Sequence, residues 1–312
     1  MKIEHLLNEA YADVSEKKLE KLLSTKFSQA WKHYIETNNG IFRHDNGARG
    51  MDLELVAKIA SPLKNREAAY ALSNLHNEYI NNDSQWLAFP KRAVIGASHV
   101  DIVRRRGSPS GVYLILPVND TPIGLCPKHD IWASFENVNK IMKTGPDVQS
   151  LNTFYSTILF DFSEAMTNVL DVDFDAWIKG SGGSYERYRE QMNDVDNLLD
   201  ALKEKEYLEV AEYYDLDPKS IQTNIHTVRC VLGYDYVPEI LGRQLDGFCE
   251  LVKEHGLTYT MDKIFSPKDF RVGTVEEILT DANNDNEVWF NSAYLMIPYA
   301  HLKDFYYRYK DI

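Results

Sequence analysis

The chain has 312 residues, 44% hydrophobic and 26% charged, with a formal net charge of −13. These are globular proportions, and the acidic balance excludes nucleic-acid binding by bulk charge, which needs a basic footprint. Three cysteines, Cys126, Cys230 and Cys249, exclude a disulfide framework, argue against a dedicated Cys-rich metal site and fit a reducing cytosol.

The start, MKIEHLLNEAYADVSEKK, reads as lacking a signal peptide, and no apolar run approaches a membrane span. The expected location is cytoplasmic, with no membrane partner. Residues 4–36 carry apolar residues at three- and four-residue steps, from Leu6 to Tyr34, and predict helix with a restart at Ser15-Glu16. Asn38-Asn39-Gly40 ends it, and Gly40 to His44 is strand-like. Helical spacing returns over 51–81, broken at Ser61-Pro62. From residue 86 the composition turns aromatic and β-branched. WLAFPKRAVIGAS, GVYLILPV and TPIGLCP each hold one expected strand. One or two helical turns carrying Arg104, Arg105 and Arg106 are expected between the first two.

Residues 135–255 predict a mainly helical lobe, interrupted at Lys179 to Ser184. The tail predicts two strands, 287–290 and 293–298, around an Asn291-Ser292 hairpin turn, and a last helix at Phe305 to Tyr309. Helices, strands, helices and strands in that order make an α+β chain. The late strands are expected to complete a sheet begun before residue 126. The expected domains are therefore 1–134 plus 256–312 as an α+β core, and 135–255 as a helical insertion.

Most familiar chemical motifs are absent: no phosphate-binding GxxxxGK[ST], no GxGxxG after a strand, no GxSxG and no HExxH. Cys126 and His129 have ligand-like spacing but make only half a site, so no metal is expected. The Ser181 to Ser184 loop lacks a preceding strand and a Lys, and reads as a linker. Arg104 to Arg106 point in different directions on a helix and read as a solvated face.

Three segments stand apart. Phe42-Arg43-His44 places a charged pair at the end of an apolar strand. FPKRAVIGASH, residues 89–99, ends a strand in small residues and the hydroxyl of Ser98. DNEVWF, residues 285–290, opens a strand with the carboxylate of Glu287 after an Asn/Asp-rich loop.

An Arg at a first strand, a Ser at a second and a Glu at a late strand resemble the Arg-Ser-Glu pattern of the ADP-ribosyltransferase family. The strand GVYLILPV with its following turn is similar to that family's next strand. The match covers roughly residues 40–126 and 270–300. Gly96-Ala97-Ser98 stands where the family has Ser-Thr-Ser, and Asp285 stands two before the Glu, where the family has Glu or Gln; the second departure argues against arginine-directed transfer. The 76–98 segment, with Asn77, Tyr79, Trp86 and Pro90-Lys91-Arg92, also looks like phage proteins.

The resemblance implies a small split sheet around an NAD cleft, with helices at the N-terminal side. It implies NAD as substrate and ADP-ribosyl transfer to an acceptor of unknown kind. Glu287 would offset the positive charge that builds on the ribose as the nicotinamide bond breaks. Ser98 would orient Glu287 or the ribose. Arg43 would grip a phosphate, and backbone groups at Phe42 to His44 would bind the nicotinamide amide. Two alternatives remain open at this point. One is a non-catalytic, phage-type structural or interaction protein. The other is a nucleic-acid-modifying enzyme using Lys91 and Arg92 on single strands. The enzyme reading needs Arg43, Ser98 and Glu287 to converge.

Overall fold

A computed structural model describes residues 12–44, 57–62, 74–100, 111–142, 151, 154–155, 185–204, 212, 247–248, 250–282 and 286–312. In chain order its elements are β1 (Ala12–Asp13), α1 (Glu16–Leu23), α2 (Ser28–Thr37), β2 (Ile41–His44), β3 (Lys58–Ala60), α3 (Leu75–Asn82), β4 (Val94–Ala97), β5 (Val112–Pro117), β6 (Ile123–Leu125), α4 (Ile131–Ser134), α5 (Glu136–Met142), α6 (Tyr185–Glu204), α7 (Leu257–Ile264), β7 (Arg271–Gly273), α8 (Val275–Asp281), β8 (Glu287–Phe290), β9 (Tyr294–Pro298) and α9 (Leu302–Tyr309). The class is α+β. No helix among the described residues is long and apolar enough to cross a membrane.

Local chemistry explains the boundaries. Ser15 precedes α1 with an extended backbone, and its carbonyl accepts from Leu19, but its side chain makes no capping bond. Asn38 closes α2 in the left-handed region at φ 59°, which a short amide side chain tolerates. Thr274 opens α8 with a complete capping box: its hydroxyl accepts from the Glu277 amide, and the Glu277 carboxylate accepts from the Thr274 amide.

The chain divides into two compact units. The first comprises residues 1–66, 87–134 and 267–312 and contains every described strand. Its nine strands run in the order β1-β3-β9-β5-β2-β4-β8-β6-β7, with every pairing antiparallel. The late strands complete the sheet begun earlier: β8 pairs with β4, and β9 pairs with β5.

Three expectations are corrected. Residues 287–298 do not form a hairpin. β8 and β9 are separated by β5, β2 and β4: β8 pairs with β4 and β6, and β9 with β5 and β3. Residues 12–13 and 58–60 are strand, although they fall inside stretches with helical spacing. Three or fewer residues of pairing to a neighbour override a local period. The described strands form one sheet, not two, yet the two halves meet along a narrow seam. β2 shares a single register pair with β4, Phe42↔Ala97, while it shares four with β5, and β4 shares four with β8.

The core of this unit is apolar side chains of both sheet faces packed with α1, α2, α8 and α9, including Leu23, Trp31, Leu114, Val288, Ile297 and Phe305. The Trp31 indole N–H donates to the Tyr309 carbonyl at 3.0 Å, which ties α9 back onto α2.

The second unit comprises residues 67–86 and 135–266, and its described elements are helical. It thus takes in α3 and α7, both outside the 135–255 interval. Tyr79, Phe135 and Phe265 pack ring to ring at its centre. Polar ties surround them: Tyr185 donates to Asp83, Arg189 to Asp262, and the Trp86 indole to the Phe265 carbonyl. Residues 104–106, 181–184 and Asp285 lie outside the described residues.

Candidate functional site

The three motif segments are far apart in sequence, and the sheet makes them neighbours. β2, β4 and β8 are consecutive strands. Register then fixes which side chains share a face, because directly opposed residues point the same way and successive residues alternate. Phe42 pairs with Ala97, and Ala97 pairs with Glu287. Phe42, Ala97 and Glu287 therefore form one row on one face. His44, two residues beyond Phe42, lies on that face as well and is partly exposed.

Arg43 alternates to the opposite face. It is buried there, and its Nη1 donates to the Tyr294 hydroxyl at 2.9 Å, with the guanidinium 5.9 Å from the Tyr294 ring centre. The expected convergence is thus partial. The strands converge and the Arg43 and Glu287 side chains do not. The structure places no Arg43 group beside Glu287; alternation, which no sequence motif reports until the register is known, separates them.

Ser98 continues β4 past its last pair. Its amide donates to the Asn286 carbonyl at 3.0 Å, and its hydroxyl lies 3.2 Å from both the Asn286 amide and carbonyl. Ser98 therefore holds the backbone immediately before Glu287 and does not touch the Glu287 carboxylate. Asn286 is buried; its Nδ2 donates to the Cys126 carbonyl at 2.8 Å, which fixes the orientation of its amide.

Glu287 is 5% exposed. Its backbone carbonyl accepts from the Cys126 amide at 2.8 Å. Its Oε1 accepts from Arg92 Nη2 at 2.6 Å, and the Cys126 thiol lies 3.9 Å from the same oxygen. Its Oε2 accepts no hydrogen bond among the described residues. Arg92 is equally buried. A charge-assisted bond of this length between two desolvated groups is of the strong kind. Burial, and then the Glu287 carboxylate beside it, push the Cys126 thiol well above its ordinary pKa. Cys126 is a buried free thiol, and its partner in the CPKH spacing, His129, instead faces Asp130 at 3.3 Å.

Arg92 is the residue that motif reading passed over. Its signal in the sequence was the basic pair before β4, assigned to single-strand binding. As the buried partner of Glu287 it is not a groove-lining cation. Its placement comes from β8 itself. Trp289, two residues after Glu287 on the same face, donates from Nε1 to the Pro90 carbonyl at 2.9 Å and stacks on Phe89 at 6.1 Å. The 89–92 segment is thereby pinned along β8 at two points, Trp289 on Pro90 and Glu287 on Arg92.

A separate cavity of about 550 Å³ lies at β7 and α8, lined by Arg271, Glu276, Thr280 and Asp281 among others. Glu287 is not part of it. Comparison of the chain with protein-family models, with curated proteins and with solved structures finds no match.

Proposed function

We propose that the chain is an NAD-dependent ADP-ribosyltransferase-like enzyme of the cytosol, with Glu287 as its catalytic carboxylate. The observation that supports this reading is the row Phe42–Ala97–Glu287 at the narrow seam of the sheet, in which Glu287 keeps one carboxylate oxygen without a hydrogen bond.

The groups at the seam suit this chemistry. NAD supplies a nicotinamide–ribose bond whose electron pair leaves with nicotinamide while positive charge builds on the ribose, and an acceptor hydroxyl, amine or water then bonds to that carbon and releases its proton. Glu287 Oε2 accepts from a ribose hydroxyl and offsets the charge, an interaction that strengthens toward the transition state. Ser98 fixes the backbone that aims it. Phe42 and Ala97 are buried in the same row, and His44 is partly exposed beside them. The acceptor and the choice between transfer and hydrolysis belong to groups beyond this row.

A second reading has its own support. Arg43–Tyr294 and Arg92–Glu287 are both buried, hydrogen-bonded pairs, as a non-catalytic protein would use to tie its sheet together. Turnover separates the two. NAD consumption is measured for the wild type and Glu287→Gln, with NAD affinity measured separately by calorimetry. The enzyme reading expects a loss on the order of a hundredfold or more in Glu287→Gln, the scale of removing one preorganised electrostatic group, with binding retained. Equal turnover, or no NAD binding by the wild type, favours the non-catalytic reading.

A further inference from the structure

Resting on the reading above, we infer that Arg92 is the positioning residue of Glu287: it occupies Oε1 and so presents Oε2 to the substrate. A Glu side chain at a strand end has three rotatable bonds, and its two oxygens are equivalent until something distinguishes them. Here Arg92 Nη2 takes Oε1 at 2.6 Å, and Oε2 makes no hydrogen bond among the described residues. One oxygen is committed and the other makes no hydrogen bond, which is the arrangement a carboxylate needs to meet a ribose hydroxyl in a single orientation.

The tie is built on rigid parts. Arg92 sits on a segment that Trp289 anchors through the Pro90 carbonyl and the Phe89 ring. Glu287 sits in β8 with its pairing to Ala97 and its carbonyl bonded to Cys126. The segment and the strand are thus held to each other independently of the ion pair. Arg92 itself does not touch substrate. It acts through Glu287, and misplacement of a reacting group by about 1 Å is enough to cost on the order of a hundredfold.

The experiment is a double-mutant cycle on the full chain. Arg92→Gln, Arg92→Lys, Glu287→Gln and the double Arg92→Gln/Glu287→Gln are compared for NAD cleavage, NAD affinity by calorimetry and thermal unfolding. Arg92→Gln leaves a buried carboxylate without its cation, so Arg92→Lys and the charge-free double variant serve as the folded controls. The inference expects kcat to fall on the order of tenfold to a hundredfold in Arg92→Gln, partial rescue in Arg92→Lys, and NAD affinity close to wild type. In the Glu287→Gln background the Arg92→Gln change costs nothing further, because the group it positions is already gone. Losses that multiply in the double variant overturn the inference, since they assign Arg92 a role independent of Glu287. Wild-type kcat in folded Arg92→Gln, with Glu287→Gln impaired, overturns the inference alone. Absence of NAD cleavage and binding in the wild type overturns the proposed function and this inference together.

Discussion

Arg43 and Glu287 belong to strands that both pair with β4, and their side chains lie on opposite faces of the sheet. Each is buried and hydrogen-bonded, Arg43 to Tyr294 and Glu287 to Arg92. This separation divides the roles that a linear Arg-Ser-Glu reading joins together. The cation that accompanies Glu287 is Arg92.

The first prediction follows from that division. Arg43→Ala removes a donor from the buried Tyr294 hydroxyl and a cation from its ring face. Losing a hydrogen bond made by a charged group costs about 1.5–3 kcal/mol. Urea unfolding should report that loss, while NAD affinity per folded molecule stays unchanged. Reduced NAD affinity at full stability would return Arg43 to the binding site.

The second concerns the sheet beside the site. A Cβ added at Gly124 falls 2.3 Å from the Trp289 ring. The ring cannot withdraw, because its N–H is bonded to Pro90 and its face lies on Phe89. Gly124→Ala should destabilise by about 1–3 kcal/mol, the usual cost of overpacking, and should alter the Trp289 fluorescence. A denaturation midpoint equal to wild type would contradict the packing described here.

The third is a pH dependence. His33 on α2 is buried and its Nε2 makes no hydrogen bond among the described residues. Burial lowers its pKa below the usual 6.5, opposed by Glu276 on α8 and Glu36. The unfolded chain therefore binds a proton more readily than the folded one. The stability His33 contributes is present above 6.5 and is lost as pH falls through the lowered folded-state pKa. Thermal unfolding between pH 7.5 and 5 should show this decline in the wild type, and the decline should be shallower in His33→Leu. Parallel curves would contradict a contribution of His33 to the pH dependence.

The fourth tests the helical unit. Tyr185 donates to the buried Asp83, which also accepts from the Gln85 amide at 2.8 Å. Tyr185→Phe keeps the ring against Tyr79 and removes the donor. It should cost about 1–3 kcal/mol, whereas Tyr307→Phe, at a 62% exposed ring, should cost nothing measurable. Equal melting curves for the two variants would show that the Tyr185–Asp83 tie carries no weight.

Much of the fold was legible in the chain. Strands β4, β5, β6, β8 and β9 announced themselves through β-branched and aromatic runs between Gly and Pro, and α9 through its apolar spacing. The pairing was not legible. Nothing local in EVWF or YLMIP says that three earlier strands come between them, since that choice rests on contacts between distant segments. The candidate site shows the same division. Glu287, Ser98, Phe42 and His44 could be named from residue type and position. Which of them share a face depends on the single pair Phe42↔Ala97, and a shift of one residue there reverses every side chain. Arg92 was hidden for a related reason: a basic residue before a strand reads as surface until its carboxylate partner, 195 residues away, is placed beside it.

The most direct measurement is a crystal structure of the wild type with an NAD analogue that cannot be cleaved. The analogue is expected at the seam on the Glu287 face, with Glu287 Oε2 within hydrogen-bond distance of a ribose hydroxyl, Oε1 still held by Arg92, and the Phe42–His44 backbone bordering the nicotinamide. An analogue bound on the Arg43 face, or bound elsewhere with Oε2 touching no part of it, would contradict the assignment of Glu287 as the catalytic carboxylate.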